Sequence, residues 1–211
     1  MKQIAFACAL ALAAPLAATL PLALTAPAAQ AAEKLPLSAI SAYLNSFKTA
    51  KSPFTQINDD GTLTTGTLYL QRPGRARFQY DPPSGAAVIV GAGAVVIHDP
   101  KSNQPPESYP LSRTPLSIIL ASQVDLGRAN MVVGHDFDGT ATIVTAQDPD
   151  HPDAGSIQLV FTDNPVELRK WVINDASGAQ TTVILGALQT GMSLNGSLFT
   201  ATGGGAPSDQ R

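Results

Sequence analysis

Cysteine is almost missing from this chain. The only one, Cys8, sits within the first ten residues, so no disulfide can brace the remainder and its stability has to come from a buried core, even in an oxidising compartment. Charge is sparse too: 13 basic and 16 acidic side chains make up 14% of the residues. With no basic field, nucleic-acid binding is excluded. Aromatic residues contribute only 6%, and Trp171 is the single tryptophan. Beyond residue 31 no apolar run approaches the ~20 residues that a bilayer-crossing helix needs. The common chemical signatures are absent as well, including G-x-S-x-G, the Walker loop, H-E-x-x-H and C-x-x-C. His98, His135 and His151 fall at a strand end, within a strand and in a loop, with no pair spaced to share a face. Asp148, Asp150 and Asp153 lie in "DPDHPD", which lacks the glycine and closing glutamate of a calcium loop and reads as a solvated turn. Neither a metal nor a cofactor is expected, and no enzymatic activity.

What is present begins with a leader. Lys2, the apolar run Ile4 to Leu24 and the small residues Ala29 and Ala31 form the pattern of a secretory signal peptide cleaved after Ala31. A membrane anchor is the other reading, opposed by Pro15, Pro21, Pro27 and the cleavage pattern. About 180 residues would remain, enough for one core-forming domain, assigned to 32–203. The tail 204–211 has no apolar periodicity and is expected to be disordered. Such a product would be soluble and, in a two-membrane bacterium, periplasmic.

In "LPLSAISAYLNSFKTA" Leu37, Ile40, Leu44 and Phe47 recur at three- and four-residue steps, which predicts an amphipathic helix ended by Pro53. From Gly61 the period becomes two. Strands are expected near 62–71, 76–80, 87–90, 94–98, 131–136, 140–146, 156–162, 167–174 and 181–188, separated by Gly, Pro and Asp turn clusters. The spacing implies an antiparallel meander curling into a barrel or an open half-barrel. "TPLSIILAS", 114–122, predicts a second short helix, and the Pro-rich stretch before it an extended surface loop. Two short amphipathic helices are then available to cover the sheet's apolar face. They could complete an ordinary packed core, which the pattern by itself favours, or form a removable lid over a cavity for an apolar ligand.

The stretch "LYLQRPGRARFQYDPP" bears on that choice. Alternation places Leu68, Leu70 and Arg72 on one face and gives Phe78 and Tyr80 a shared parity. Arg72 either snorkels to water or points inward and latches onto free carbonyls at the end of a covering helix. At these residues the chain resembles the outer-membrane lipoprotein carrier family, LolA. "YLNSFKTAKSPFTQ", "GTLYLQRPGRARFQYDPP", "TPLSIIL" and "LRKWVINDASGAQTTVIL" follow the family's order, and the run around RPGR is the specific one.

The resemblance implies an incomplete antiparallel β-barrel closed by lid helices over a hydrophobic cavity. It also implies a monomeric periplasmic chaperone for triacylated lipoproteins. These would be received from an ATP-driven ABC-type release complex of the inner membrane and handed to an outer-membrane lipoprotein receptor. A carrier of other lipids, or an envelope lipid or peptide sensor, is the alternative on the same fold. The family's latch arginine falls on Arg72. The expected cavity wall is Leu68, Leu70, Phe78, Tyr80 and Ile89, lined by more aliphatic than aromatic residues. The expected lid is Leu44, Phe47, Ile119 and Leu120, and Arg75 and Arg77 are assigned to a solvated rim.

Overall fold

A computed structural model describes residues 32–201. The leader and the tail assigned from sequence lie outside the described residues. Helix α1 spans Leu37–Asn45, preceded by Pro36 in an extended conformation, and buries Ile40 and Leu44 one turn apart. It is shorter than its apolar spacing suggests, because the chain turns extended at Thr49 and runs as strand β1, Thr49–Ile57.

Strand β1 contains Pro53, which the sequence reading took as a helix stop. It pairs with β2 (Leu63–Gln71) along its whole length, from Thr49 opposite Gln71 to Ile57 opposite Leu63. On its other side β11 (Gln180–Leu185) pairs only with residues 54–57, and β12 (Gln189–Thr190) with Ala50 and Lys51. Pro53 sits in the gap between these two ladders, where its missing N–H breaks nothing. Its carbonyl accepts from Gly186 N at 2.9 Å. A Cβ on Gly186 would come within 2.7 Å of the Pro53 ring.

The remaining elements are β3 (Arg75–Tyr80), β4 (Ala87–Gly91), β5 (Ala94–His98), β6 (Glu107–Pro110), α2 (Leu116–Ile119), β7 (Val132–Phe137), β8 (Ala141–Ala146), β9 (Gly155–Thr162) and β10 (Glu167–Asp175). They form one antiparallel sheet in the order β6-β5-β4-β3-β2-β1-β11-β10-β9-β8-β7, with β12 beside β1. Two meanders, β1 to β6 and β7 to β11, are therefore joined where β1 meets β11. The sheet is open, with β6 and β7 at its two ends, as the half-barrel reading expects. Three strands were not foreseen: β1, β6 and β12. All of β6 is exposed; it lies in the stretch read as a loop. A short outer strand with Glu107 and Pro110 is poorly suited to recruit another chain.

Registry explains the core. Ser52, Leu68, Phe78 and Val88 lie in one row across β1 to β4, and Val183, Trp171, Leu159 and Val144 in another across β11 to β8. Ile40, Leu44, Leu116 and Ile119 from the two helices join these rows in one hydrophobic cluster.

Close packing of the sheet at Gly66 gives a test. A Cβ there would lie 2.2 Å from the Gln79 carbonyl and 2.9 Å from the Phe54 ring. Gly66→Ala is expected to lower stability by about 1–3 kcal/mol, read as a reduced urea midpoint. Gly196→Ala, where nothing lies within 4 Å, should leave the midpoint nearly unchanged.

Candidate functional site

Arg72 follows β2 directly and keeps the parity of Leu68 and Leu70, so its side chain turns to the concave face, where it is 6% exposed. Its backbone N–H donates to Lys48 O at 2.8 Å. The guanidinium donates to Leu44 O and Phe47 O and, at 3.5 Å, to Asn45 Oδ1. It also lies 5.3 Å over the Phe47 ring. These carbonyls belong to the end of α1 and the residues after it, where intrahelical donors run out and the helix dipole is negative. Burial pushes the Arg72 pKa down, but a guanidinium stays charged in proteins. The carbonyls meet the charge that burial has stripped of water; Nε alone has no acceptor.

Asn45 extends the clasp. Its Nδ2 donates to Val124 O at 2.8 Å and its Oδ1 accepts from Val124 N at 2.9 Å. Ser41 Oγ accepts from Leu126 N at 3.1 Å, and Gly74 N donates to Leu120 O at 2.8 Å. On the other side of α1, Tyr43 Oη accepts from Leu168 N at 3.2 Å, and burial raises its pKa. Helix α1 is thus tied to both meanders and to the segment following α2.

The other two arginines differ from each other. Arg75 is exposed and reaches Gln71 Oε1 at 3.3 Å, in keeping with a rim position. Arg77 does not lie on a solvated rim: it is 4% exposed, on the convex face. Its Nε and Nη2 donate to Gln79 Oε1 at 3.0 and 2.7 Å, and Nη1 to Leu198 O at 3.2 Å. The cover is a 3-10 turn, Gly196–Phe199, that brings buried Phe199 against β3 and β4. A Cβ on Gly91 would stand 2.4 Å from Phe199 O. Ile89 is opposite Arg77 in the register and shares this convex face, so it is not part of the cavity wall.

The concave side holds two compartments. Leu68 and Leu70 come together with Leu44, Phe47, Ile119 and Arg72 around a void of only about 20 Å³, roughly one water molecule's room. Leu120 is buried nearby and serves through its carbonyl. Phe78 and Tyr80 instead line a cavity of about 440 Å³ together with Val88, Trp171, Ile173 and Val183, under Thr114, Pro115 and Leu116. Trp171 borders both compartments, and Phe78 meets it edge to face at 6.2 Å. Tyr80 Oη donates to Gln56 Oε1 at 2.7 Å, and burial raises its pKa. The lining is more aromatic than the composition suggests, since Phe78, Tyr80, Tyr109 and Trp171 all contribute. Trp171, Ile173 and Val183 were missed as wall residues, although the alternation of β10 and β11 carries the signal.

No cluster of three or more metal-ligating side chains occurs among the described residues. The candidate aspartates are dispersed: Asp148 faces His151 at 3.3 Å, Asp150 faces Arg128 at 2.7 Å, and Asp153 faces Arg113 at 3.2 Å. His135 Nε2 lies 2.9 Å from Leu35 O. No helix among the described residues is long and apolar enough to cross a membrane.

If Asn45 holds the segment after α2, Asn45→Ala should weaken that attachment by about 2 kcal/mol. Hydrogen exchange at the Val124 amide is expected to accelerate at least tenfold while the central strands keep their protection.

Comparison with known proteins bears on this geometry. The family model described as outer membrane lipoprotein carrier protein LolA matches residues 45–202. An outer-membrane lipoprotein carrier protein of Methylococcus capsulatus is 33% identical over 76 residues, which cover 34% of this chain and 36% of that one. The one from Methylobacillus flagellatus is 24% identical over 171 residues, 77% of this chain and 82% of its own. Among solved structures, a LolA superfamily protein from Nitrosomonas europaea aligns with a TM-score of 0.41 at 11% identity, covering 79% of this chain and 98% of that one. A putative outer membrane lipoprotein-sorting protein domain from Vibrio parahaemolyticus aligns with 0.46 at 12% identity, covering 79% and 95%. The family match runs from the last residue of α1 past the C-terminal 3-10 turn, and so takes in Arg72, Phe47 and the whole lining of the roomier compartment: the chain belongs to the LolA family.

Proposed function

We propose that this protein is a carrier of acylated lipoproteins in the periplasm. It would take them from an ATP-driven release complex in the inner membrane, shield their acyl chains, and pass them to a receptor at the outer membrane, acting as a monomer without catalysis. The leader, residues 1–31, would direct export, and residues 32–203 would be the working domain. The observation that carries this reading is an apolar concave face that holds a cavity of about 440 Å³ beside a covering helix, α1, fastened by a buried cation, Arg72, through the carbonyls at its end.

Two quantities make the scheme workable. Each methylene withdrawn from water is worth ~0.8 kcal/mol, so partial burial of an acyl chain is enough for soluble transport. Release requires that the cargo have a competitor, and the lid supplies one. Leu44, Phe47 and Ile119 pack on Leu68 and Leu70, so reclosing on the sheet regains the same kind of burial that the cargo gives up. The Arg72 hydrogen bonds, at ~1.5–3 kcal/mol for a charged group, favour the closed state.

Arg72→Leu is expected to fold cooperatively, close less firmly, hold its cargo longer and deliver it to the receptor at least tenfold more slowly. Delivery at the wild-type rate would remove the latch from the mechanism. For the function as a whole, purified residues 32–211 are added to inner-membrane spheroplasts. Lipoprotein should appear in the soluble fraction, bound to the added protein and dependent on ATP. A folded protein that releases none is not a lipoprotein carrier.

A further inference from the structure

With Arg72 bonded to the α1 carbonyls, the compartment beneath Leu44 and Phe47 has only about 20 Å³ of space, so no alkyl chain fits without movement of the lid. The other compartment offers about 440 Å³ in the same closed state, within the ~300–1,000 Å³ of small-molecule sites. If a methylene needs about the ~30 Å³ that one water takes up in the liquid, this space accommodates roughly 15 of them. That is about the length of one acyl chain. Its walls, Phe78, Val88, Trp171, Ile173 and Val183, are apolar, and the Tyr80 hydroxyl is already engaged with Gln56.

The rim discriminates between head groups. Arg113 is the one cation among the described lining residues, and its guanidinium stands 3.2 Å from Asp153. Asp175 lines the same cavity. Bonds from the Ser177 hydroxyl and backbone and from Ala179 N hold its carboxyl below the ordinary range. The rim therefore carries a cation already matched by Asp153 and a further ionised carboxylate. A carboxylate or phosphate head would meet uncompensated negative charge there, whereas an ester or glycerol head would not.

We propose that the latched protein has a binding site for one acyl chain bearing an uncharged head, of the monoacylglycerol type, in the compartment under Thr114 to Leu116, occupied without opening of the Arg72 clasp. The inference deepens the carrier reading and rests on it: a first acyl chain of a lipoprotein would lodge here, and further chains would need the lid released.

Trp171 is the only tryptophan and borders the site, so its emission reports occupancy. Titration of residues 32–211 with a 14-carbon monoacylglycerol should shift that emission and saturate at one equivalent. The 14-carbon fatty acid at pH 8.5 should bind at least fivefold more weakly, and Asp175→Asn should narrow the difference. Val88→Phe, which fills the chamber from β4, should reduce monoacylglycerol affinity at least tenfold; Ile97→Phe is the substitute should the first variant not fold. In the saturated wild type, exchange at the Arg72, Gly74 and Val124 amides should stay as slow as in the free protein.

Faster exchange at those amides on binding, or affinity unaffected by a folded chamber-filling variant, would overturn the site. Equal binding of fatty acid and monoacylglycerol would overturn the head selection. Monoacylglycerol binding without lipoprotein release from spheroplasts would leave this site standing and remove the carrier reading. Release without monoacylglycerol binding would do the reverse.

Discussion

A guanidinium taken out of water and held mainly by backbone carbonyls closes the apolar face. Leu44 O and Phe47 O are acceptors only because α1 stops at Asn45 and the chain then turns into β1. If the helix ran on, those carbonyls would be occupied by its own N–H groups and Arg72 would be an unpaired buried charge, a cost of several kcal/mol. The early end of α1, the strand start at Thr49 and the inward parity of Arg72 thus depend on one another. Carbonyls also make a weaker hold than a buried carboxylate would, which suits the opening proposed for the lid.

Parity and turn chemistry made most of the fold legible. A strand such as β9, where Ser156, Gln158 and Thr162 alternate with Ile157, Leu159 and Phe161, declares both its existence and its buried side. Strand β1 was hidden because the apolar spacing of α1 continues through Phe47 and because Pro53 reads as a terminator. Only the gap between β11 and β12 makes a proline tolerable there, and that gap is a long-range fact. Strands β6 and β12 are too short and too exposed to leave a periodic trace.

The candidate site was legible in the same uneven way. Arg72 could be assigned inward because Leu68 and Leu70 precede it at a spacing of two. Ile89 could not be assigned, since "AVIV" has no polar residue to mark the outer face and only the register opposite Arg77 decides it. Nor could Arg77, whose burial depends on a turn 121 positions further along. The division of the concave side into a tight and a roomy compartment comes from Phe78 meeting Trp171 across the two meanders, a contact between residues 93 apart in sequence.

The convex side sets an order of events on the chain as it emerges. Arg77 and Gly91 come early, but the Leu198 and Phe199 carbonyls that meet them follow more than a hundred positions later. Until then β3 and β4 show a bare cation and an unshielded outer surface, however complete the concave core. A chain cut short before Gly196 would keep every strand of the sheet and still carry that exposed mark. The outer wall of the sheet, on the face away from the cavity, is thereby finished by residues far along the chain from the strands they cover.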